Sequence, residues 1–296
     1  MGVLVASVRR VAGRGLAVAL LALLTGCTAG RLLATLTPGP GVRADLVYDT
    51  RHDLRLDVYT PAQARSAPVV IFFYGGRWSG GRREGYRFVG KALARRGWVA
   101  VVPDYRLYPR VRYPQFLDDC ARAVRWVREH AAEFAGDPER IVLMGHSAGA
   151  YNAVMVALTP QRLGTARRPA WLRGVVGVAG PYDFLPLTDP VLQTIFGPRE
   201  QWPDTQPVNR VGPGTPPMLL IQGTDDAVVK PRNSEALAAR INASGGSATQ
   251  LLLPGLGHAW PLLALAGPLR WRAPVLDAVD AFVRSVTATT TARSGL

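Results

Sequence analysis

The sequence predicts an α/β fold: a mostly parallel, doubly wound sheet with helices on both faces and a short Pro-rich lid insertion. Three observations carry this expectation. Strand-like apolar runs alternate with amphipathic stretches of helical period along most of the chain. The central runs, Pro68–Tyr74 (PVVIFFY) and Trp98–Pro103 (WVAVVP), are apolar at consecutive positions, as strands buried on both faces are. A length of 296 residues, 48% hydrophobic and 19% charged, is enough for one deep core. It excludes a disordered chain, a coiled coil, a collagen-like repeat and a disulfide-stapled miniprotein.

In chain order, Leu46–Thr50 and Leu54–Tyr59 read as a hairpin around Arg51-His52-Asp53. The buried strand Pro68–Tyr74 precedes a helix over Glu84–Arg96, stopped at Gly97. After the strand Trp98–Pro103, Phe116, Leu117, Cys120, Val124 and Val127 mark a helix over Pro114–Ala132. Arg140–Met144 is a strand and Ala148–Leu158 a helix; Gly174–Ala179, Met218–Gln222 and Gln250–Leu253 are strands; Ser234–Ile241 and Val275–Val286 are helices. The Pro-rich stretch Pro181–Pro213 breaks the alternation and reads as a loop or small lid over one end of the sheet. Residues 45–286 therefore form one domain, with 287–296 a frayed tail.

Residues 1–26 read as an address. Arg9, Arg10 and Arg14 precede an apolar stretch, Leu16–Leu24, too short to span a bilayer but suited to a signal peptide. The tetrapeptide Leu24-Thr25-Gly26-Cys27 resembles the bacterial lipobox, which implies cleavage before Cys27 and lipid on its sulfur. Residues 27–44 would then be a membrane tether. The protein would sit in the cell envelope outside the cytoplasm, on the periplasmic side of the outer or inner membrane. Cys120 is left without a partner and reads as a buried, inert thiol. The formal charge is +14, yet 33 of the 35 basic residues are Arg and no basic run is interleaved with aromatics, so nucleic acid is not expected.

The chemistry starts at Gly145-His146-Ser147-Ala148-Gly149, a G-x-S-x-G sequence between a strand and a helix, where a nucleophile elbow requires it. A serine hydroxyl needs a base to take its proton. Of His52, His130, His146 and His258, His146 is inside the elbow and the first two lie in an early turn and at a helix end. That leaves His258, beyond the last strand. A carboxylate must orient the base. Between Ser147 and His258 only Asp225 and Asp226 directly follow a buried strand. Stabilising the oxyanion needs aimed donors, and Tyr74-Gly75-Gly76-Arg77-Trp78 lies at the end of another strand.

Tyr74–Trp78 resembles the H-G-G-x-W segment of hormone-sensitive-lipase-like and feruloyl-esterase-like hydrolases, with Tyr74 in place of His. Gly223–Val229 resembles the G-x-x-D-x-x-V segment that carries the acid in many α/β-hydrolases. With Pro103–Leu107 and Phe116–Asp119, residues from about 45 to 286 resemble an α/β-hydrolase carboxylesterase near the feruloyl-esterase-like and isoprenylcysteine-methylesterase-like branches. The resemblance implies hydrolysis of esters of small or medium acyl groups through an acyl-enzyme. In that register Asp226 is the acid, and the backbone amides of Gly76, Arg77 and Ala148 bind the oxyanion. It also implies that Pro103–Leu107 braces the oxyanion loop, and Trp78, Trp260 and Leu262 are expected against the substrate. An amide or formamide hydrolase or a serine peptidase would keep the same residues; a non-catalytic binding protein would be expected to have lost one. No Cys/His zinc cluster or phosphate-binding glycine loop occurs, so neither metal nor cofactor is expected.

Overall fold

The computed structural model describes residues 3–5 and 27–288. Apart from Val3–Val5, the expected leader lies outside the described residues, as do the Cys27 side chain and the tail from 289. The strands are β1 (Val3–Val5), β2 (Val42–Asp49), β3 (Leu54–Tyr59), β4 (Ala67–Phe73), β5 (Val99–Pro103), β6 (Gly136–His146), β7 (Leu172–Val178), β8 (Met218–Gly223) and β9 (Ala248–Leu253). They form one sheet in the order β1-β9-β8-β7-β6-β4-β5-β3-β2. Pairing is parallel from β1 through β5, and antiparallel where β3 joins β5 and β2 joins β3. The leading hairpin and the parallel sheet agree with the sequence reading.

Successive strand residues point to opposite faces. Val69 through Phe73 are all fully buried, and so are Leu220 and Ile221, so both faces of the central strands are covered. The helices are α1 (Cys27–Leu36), α2 (Arg87–Ala94), α3 (Gln115–His130), α4 (Ala148–Leu158), α5 (Pro190–Phe196), α6 (Arg232–Ala243), α7 (Trp260–Leu263) and α8 (Val275–Thr287); α2, α3, α4, α6, α7 and α8 pack on the sheet. In α2, Phe88, Val89, Ala92 and Leu93 are fully buried. In α3 the apolar stripe anticipated from spacing is buried, with Cys120 free among it; burial pushes that thiol well above its ordinary value.

Within the segment expected to be a membrane tether, residues 27–36 form a helix. Helix α1 buries Ala29, Leu33 and Ala34, and Lys91 Nζ donates to the Ala34 carbonyl at 2.7 Å. The Thr37 hydroxyl that follows is fully buried and accepts from the Gly267 amide at 3.0 Å. A helix of 10 residues is marginal alone; tertiary contacts order this one. The hairpin also starts earlier than the spacing implied, at Val42.

A buried ion network ties the hairpin to the C-terminal end of β5. Arg83 is 6% exposed, and its guanidinium donates to Asp57 at 3.0 Å and pairs with Asp104 and Asp45. Asp57, on β3, is fully buried. Removing one partner of such a network strands the remaining charges away from water. Arg83→Met is expected to lower the unfolding free energy by about 3 to 5 kcal/mol. Adding Asp57→Asn in the same chain should return part of the loss; urea denaturation of both variants checks this.

Candidate active site

Ser147 stands in the turn between β6 and α4 with φ +55 and ψ −124, a conformation that costs a non-glycine residue energy and persists only when its surroundings impose it. Two glycines let the surroundings do so. A Cβ on Gly149 would collide with the carbonyl oxygens of Phe73 and Tyr74, and one on Gly145 with the Gly149 carbonyl. The start of α4 therefore lies in backbone contact with the end of β4. The Ser147 amide donates to the Val178 carbonyl at 2.9 Å, and the Ala150 and Tyr151 amides donate back to the Ser147 carbonyl.

The three residues singled out in the sequence are joined. His258 Nε2 lies 3.0 Å from Ser147 Oγ, and His258 Nδ1 lies 2.8 Å from Asp226 Oδ2. Asp226 is 2% exposed and also accepts from the Val228 and Val229 amides at 2.9 and 2.8 Å and from Gln222 Nε2 at 2.9 Å. Burial alone would raise its carboxyl. The bond to His258, the charge available to that ring, the Val229 amide and Gln222 together hold it below the ordinary carboxylate value. Asp225 is exposed and bonds Thr224, so it plays no part in this chain of contacts. His52 and His130 are engaged elsewhere, with Asp49 at 2.8 Å and the Trp126 carbonyl at 2.8 Å.

Opposite Ser147, Gly76 has φ +131, and Arg77 and Trp78 follow at +56 and +57. The Gly76 carbonyl is tied down by the Ser79 and Gly80 amides at 3.1 and 2.9 Å. Among the described residues, the amides of Gly76, Arg77 and Ala148 donate to no other group of the chain. Tyr74, where the resembled segment has His, carries this loop. Its hydroxyl donates to Asp104 at 3.0 Å, its carbonyl accepts from the buried Tyr105 hydroxyl at 2.7 Å, and its ring stacks between Tyr86 and Tyr105. Pro103–Leu107 thus does brace the loop. Asp119 holds that brace from α3, through a bidentate pair to Arg106 at 2.8 Å.

Ser147 opens into a cavity of about 310 Å³. Trp78 and Ala148 line one side. Phe184, Leu187 and Leu192, from the Pro-rich insertion, line the other. The insertion is pinned in place: Asn233 accepts from the Tyr182 and Asp183 amides at 2.9 Å, and Phe196 meets the Trp78 ring edge-on at 4.8 Å. The expectation fails for two residues. Trp260 and Leu262 do not line this cavity: α7 turns the chain directly after His258, burying Leu262 in the core and setting Trp260 under Arg272. Lys230 and Arg232, which no motif marked, do line it. Elsewhere, Asp49, His52 and Asp119 place donor atoms within 4.8 Å of one another, but Arg122 and Arg106 engage both carboxylates, which accounts for the cluster as an ion-pair brace.

The BD-FAE family profile matches residues 56–241, more than half of the chain. The chain belongs to the BD-FAE family. Among curated proteins it is 34% identical to esterase LipC of Mycobacterium tuberculosis over 229 residues, covering 69% of this chain and 56% of LipC. It is 28% identical to the isoprenylcysteine alpha-carbonyl methylesterase ICME of Arabidopsis thaliana, covering 77% of this chain and 58% of ICME. The chain thus spans little more than half the length of these relatives. Among solved structures, esterase 2 of Thermogutta terrifontis phosphonylated by sarin superposes with a TM-score of 0.71 at 26% identity, covering 86% of this chain and 98% of that one. The fold is the α/β-hydrolase fold.

Within this BD-FAE site His146 has a supporting place. Its buried ring lies 5.0 Å from the His258 ring, and its Nε2 lies 3.2 Å from the His258 carbonyl. Burial, helped by the charge available to His258, lowers its pKa to about 3. The unfolded chain binds a proton at this histidine below about 6.5 and the folded chain does not until about 3, so acid favours unfolding across that window. Between pH 7.5 and pH 5 the wild type should lose about 2 kcal/mol relative to His146→Gln. Paired denaturation curves at the two pH values measure it, and an unchanged difference would refute it.

Proposed function

We propose that this chain is a serine hydrolase that cleaves carboxylic esters of small or medium acyl groups through an acyl-enzyme. The observation that carries the reading is the continuous hydrogen-bond chain from Ser147 Oγ through His258 to the buried Asp226. His258 Nε2 takes the serine proton as Oγ attacks the ester carbonyl, while Asp226 accepts from Nδ1–H, holding the tautomer and stabilising the imidazolium. The amides of Gly76, Arg77 and Ala148 receive the oxyanion. His258 then returns the proton to the leaving alcohol, and water releases the acyl group by the same steps. The BD-FAE match and the esterase names of two relatives favour an ester over an amide. A cavity of about 310 Å³ suits a short acyl chain.

Ser147→Ala is expected to abolish turnover of p-nitrophenyl butanoate, a loss of about 10³-fold or more, with the fold intact by circular dichroism. Asp226→Asn should cost far more than Asp225→Asn. Retained turnover in Ser147→Ala would end the mechanism, and faster cleavage of anilides or formamides than of matched esters would reassign the substrate.

We further propose that Cys27 carries lipid and holds the domain at a membrane outside the cytoplasm. Support comes from the Leu-Thr-Gly-Cys sequence behind an Arg-flanked apolar stretch. No helix among the described residues is long and apolar enough to cross a membrane. Two acyl chains give stable attachment where one does not. Wild type should stay with membranes in low and high salt, and Cys27→Ser should leave them in high salt; a retained variant would assign attachment to residues 11–24.

A further inference from the structure

The wall of the Ser147 cavity holds more positive charge than its surroundings neutralise. Three cations reach it, Arg77, Lys230 and Arg232, against one carboxylate, Asp189. Asp189 is already committed: Oδ2 pairs with the Arg77 guanidinium, and Oδ1 accepts from the Val191 and Leu192 amides at the start of α5. That pair cancels Arg77. The Arg232 guanidinium has only the Leu185 carbonyl, at 3.3 Å. Among the described residues the Lys230 ammonium has no hydrogen-bond or ion-pair partner. Two like charges with no carboxylate opposite them, two positions apart, thus border a cavity that has an apolar wall of Phe184, Leu187 and Leu192 and ends at the serine.

We propose that the preferred ester carries a carboxylate on the group that fills this cavity, bound by Lys230 and Arg232; this rests on the serine-esterase reading above. The apolar wall takes the carbon skeleton, and the charge meets its counter-ion at the exposed edge. An ammonium and a guanidinium suit a carboxylate: one is a point charge, and the other a planar donor fork. Their backbone positions are set by neighbours: the Val228 and Val229 amides just before Lys230 are bonded to Asp226, and Arg232 opens α6. Both side chains are exposed, so the attraction is screened over about 8 Å at physiological salt. The expected effect is moderate.

The test measures a ratio. For the acyl side, kcat/KM for p-nitrophenyl hydrogen adipate is compared with that for p-nitrophenyl hexanoate. For the alcohol side, p-(carboxymethyl)phenyl butanoate is compared with its carbamoylmethyl analogue. Ser147→Ala supplies the background for every probe. In one of the two pairs the anionic ester should be favoured about fivefold or more at low salt, and raising the salt should shrink the preference. Lys230→Met with Arg232→Met should bring that ratio close to one, whereas Lys230→Arg with Arg232→Lys should keep it. If neutral esters are cleaved through Ser147 and neither anionic ester is preferred, or if the preference survives in the double Met variant, this proposal falls and the hydrolase reading stands. If no probe shows turnover that depends on Ser147, both fall.

Discussion

The close approach of α4 to the end of β4 is the constraint on which the site is built. It exists because Gly149 has no side chain to hold the backbones apart, and the bare Gly145 at the end of β6 lets α4 fold back tightly enough to reach β4. With the helix seated there, Ser147 has no relaxed conformation to fall back to, and its positive φ is held by the Val178 carbonyl on one side and two helix amides on the other. The same approach brings the unbonded Ala148 amide beside the Gly76–Arg77 loop. Any side chain at either glycine would cost more than its own packing, since it would move Ser147 and the Ala148 amide, a proposed oxyanion donor, together.

What holds the facing loop is a polar brace rooted in β5. Asp104 accepts from the Tyr74 hydroxyl and the Arg83 amide and pairs with the Arg83 guanidinium, which reaches on to Asp57 in the hairpin. Burial pushes the Asp104 carboxyl up, and the contacts with Arg83 and Tyr74 pull the other way. Stability and site geometry therefore share residues here: the ion network that secures the hairpin also sets the height of the loop opposite Ser147.

Much of this was legible in the sequence, for identifiable reasons. The parallel strands are buried on both faces, so they appear as unbroken apolar runs. His258 followed from elimination among four histidines, and the structure brings it to Ser147 and Asp226. Readings that rested on proximity along the chain did less well. Trp260 and Leu262 follow His258 closely, yet the turn of α7 sends them into the core and under Arg272. The helix within residues 27–44 was not legible because its order comes from partners distant in sequence, Gly85, Lys91 and Gly267, which no local pattern records. Lys230 and Arg232 escaped notice because a cation near a site leaves no spacing to recognise.

Asp189 has a consequence for how such a protein can change. One carboxylate stitches the insertion's helix to the loop that faces Ser147, using a different oxygen for each. The shape of the cavity is open to alteration through the Pro-rich insertion, whose side chains form much of its wall. Replacing that insertion wholesale would release the Arg77 guanidinium at the same moment, so a grafted segment that lacks an acid at this point reshapes the cavity and adds an unpaired cation to its wall. The route to an altered cavity runs through substitutions around Asp189 that leave it in place.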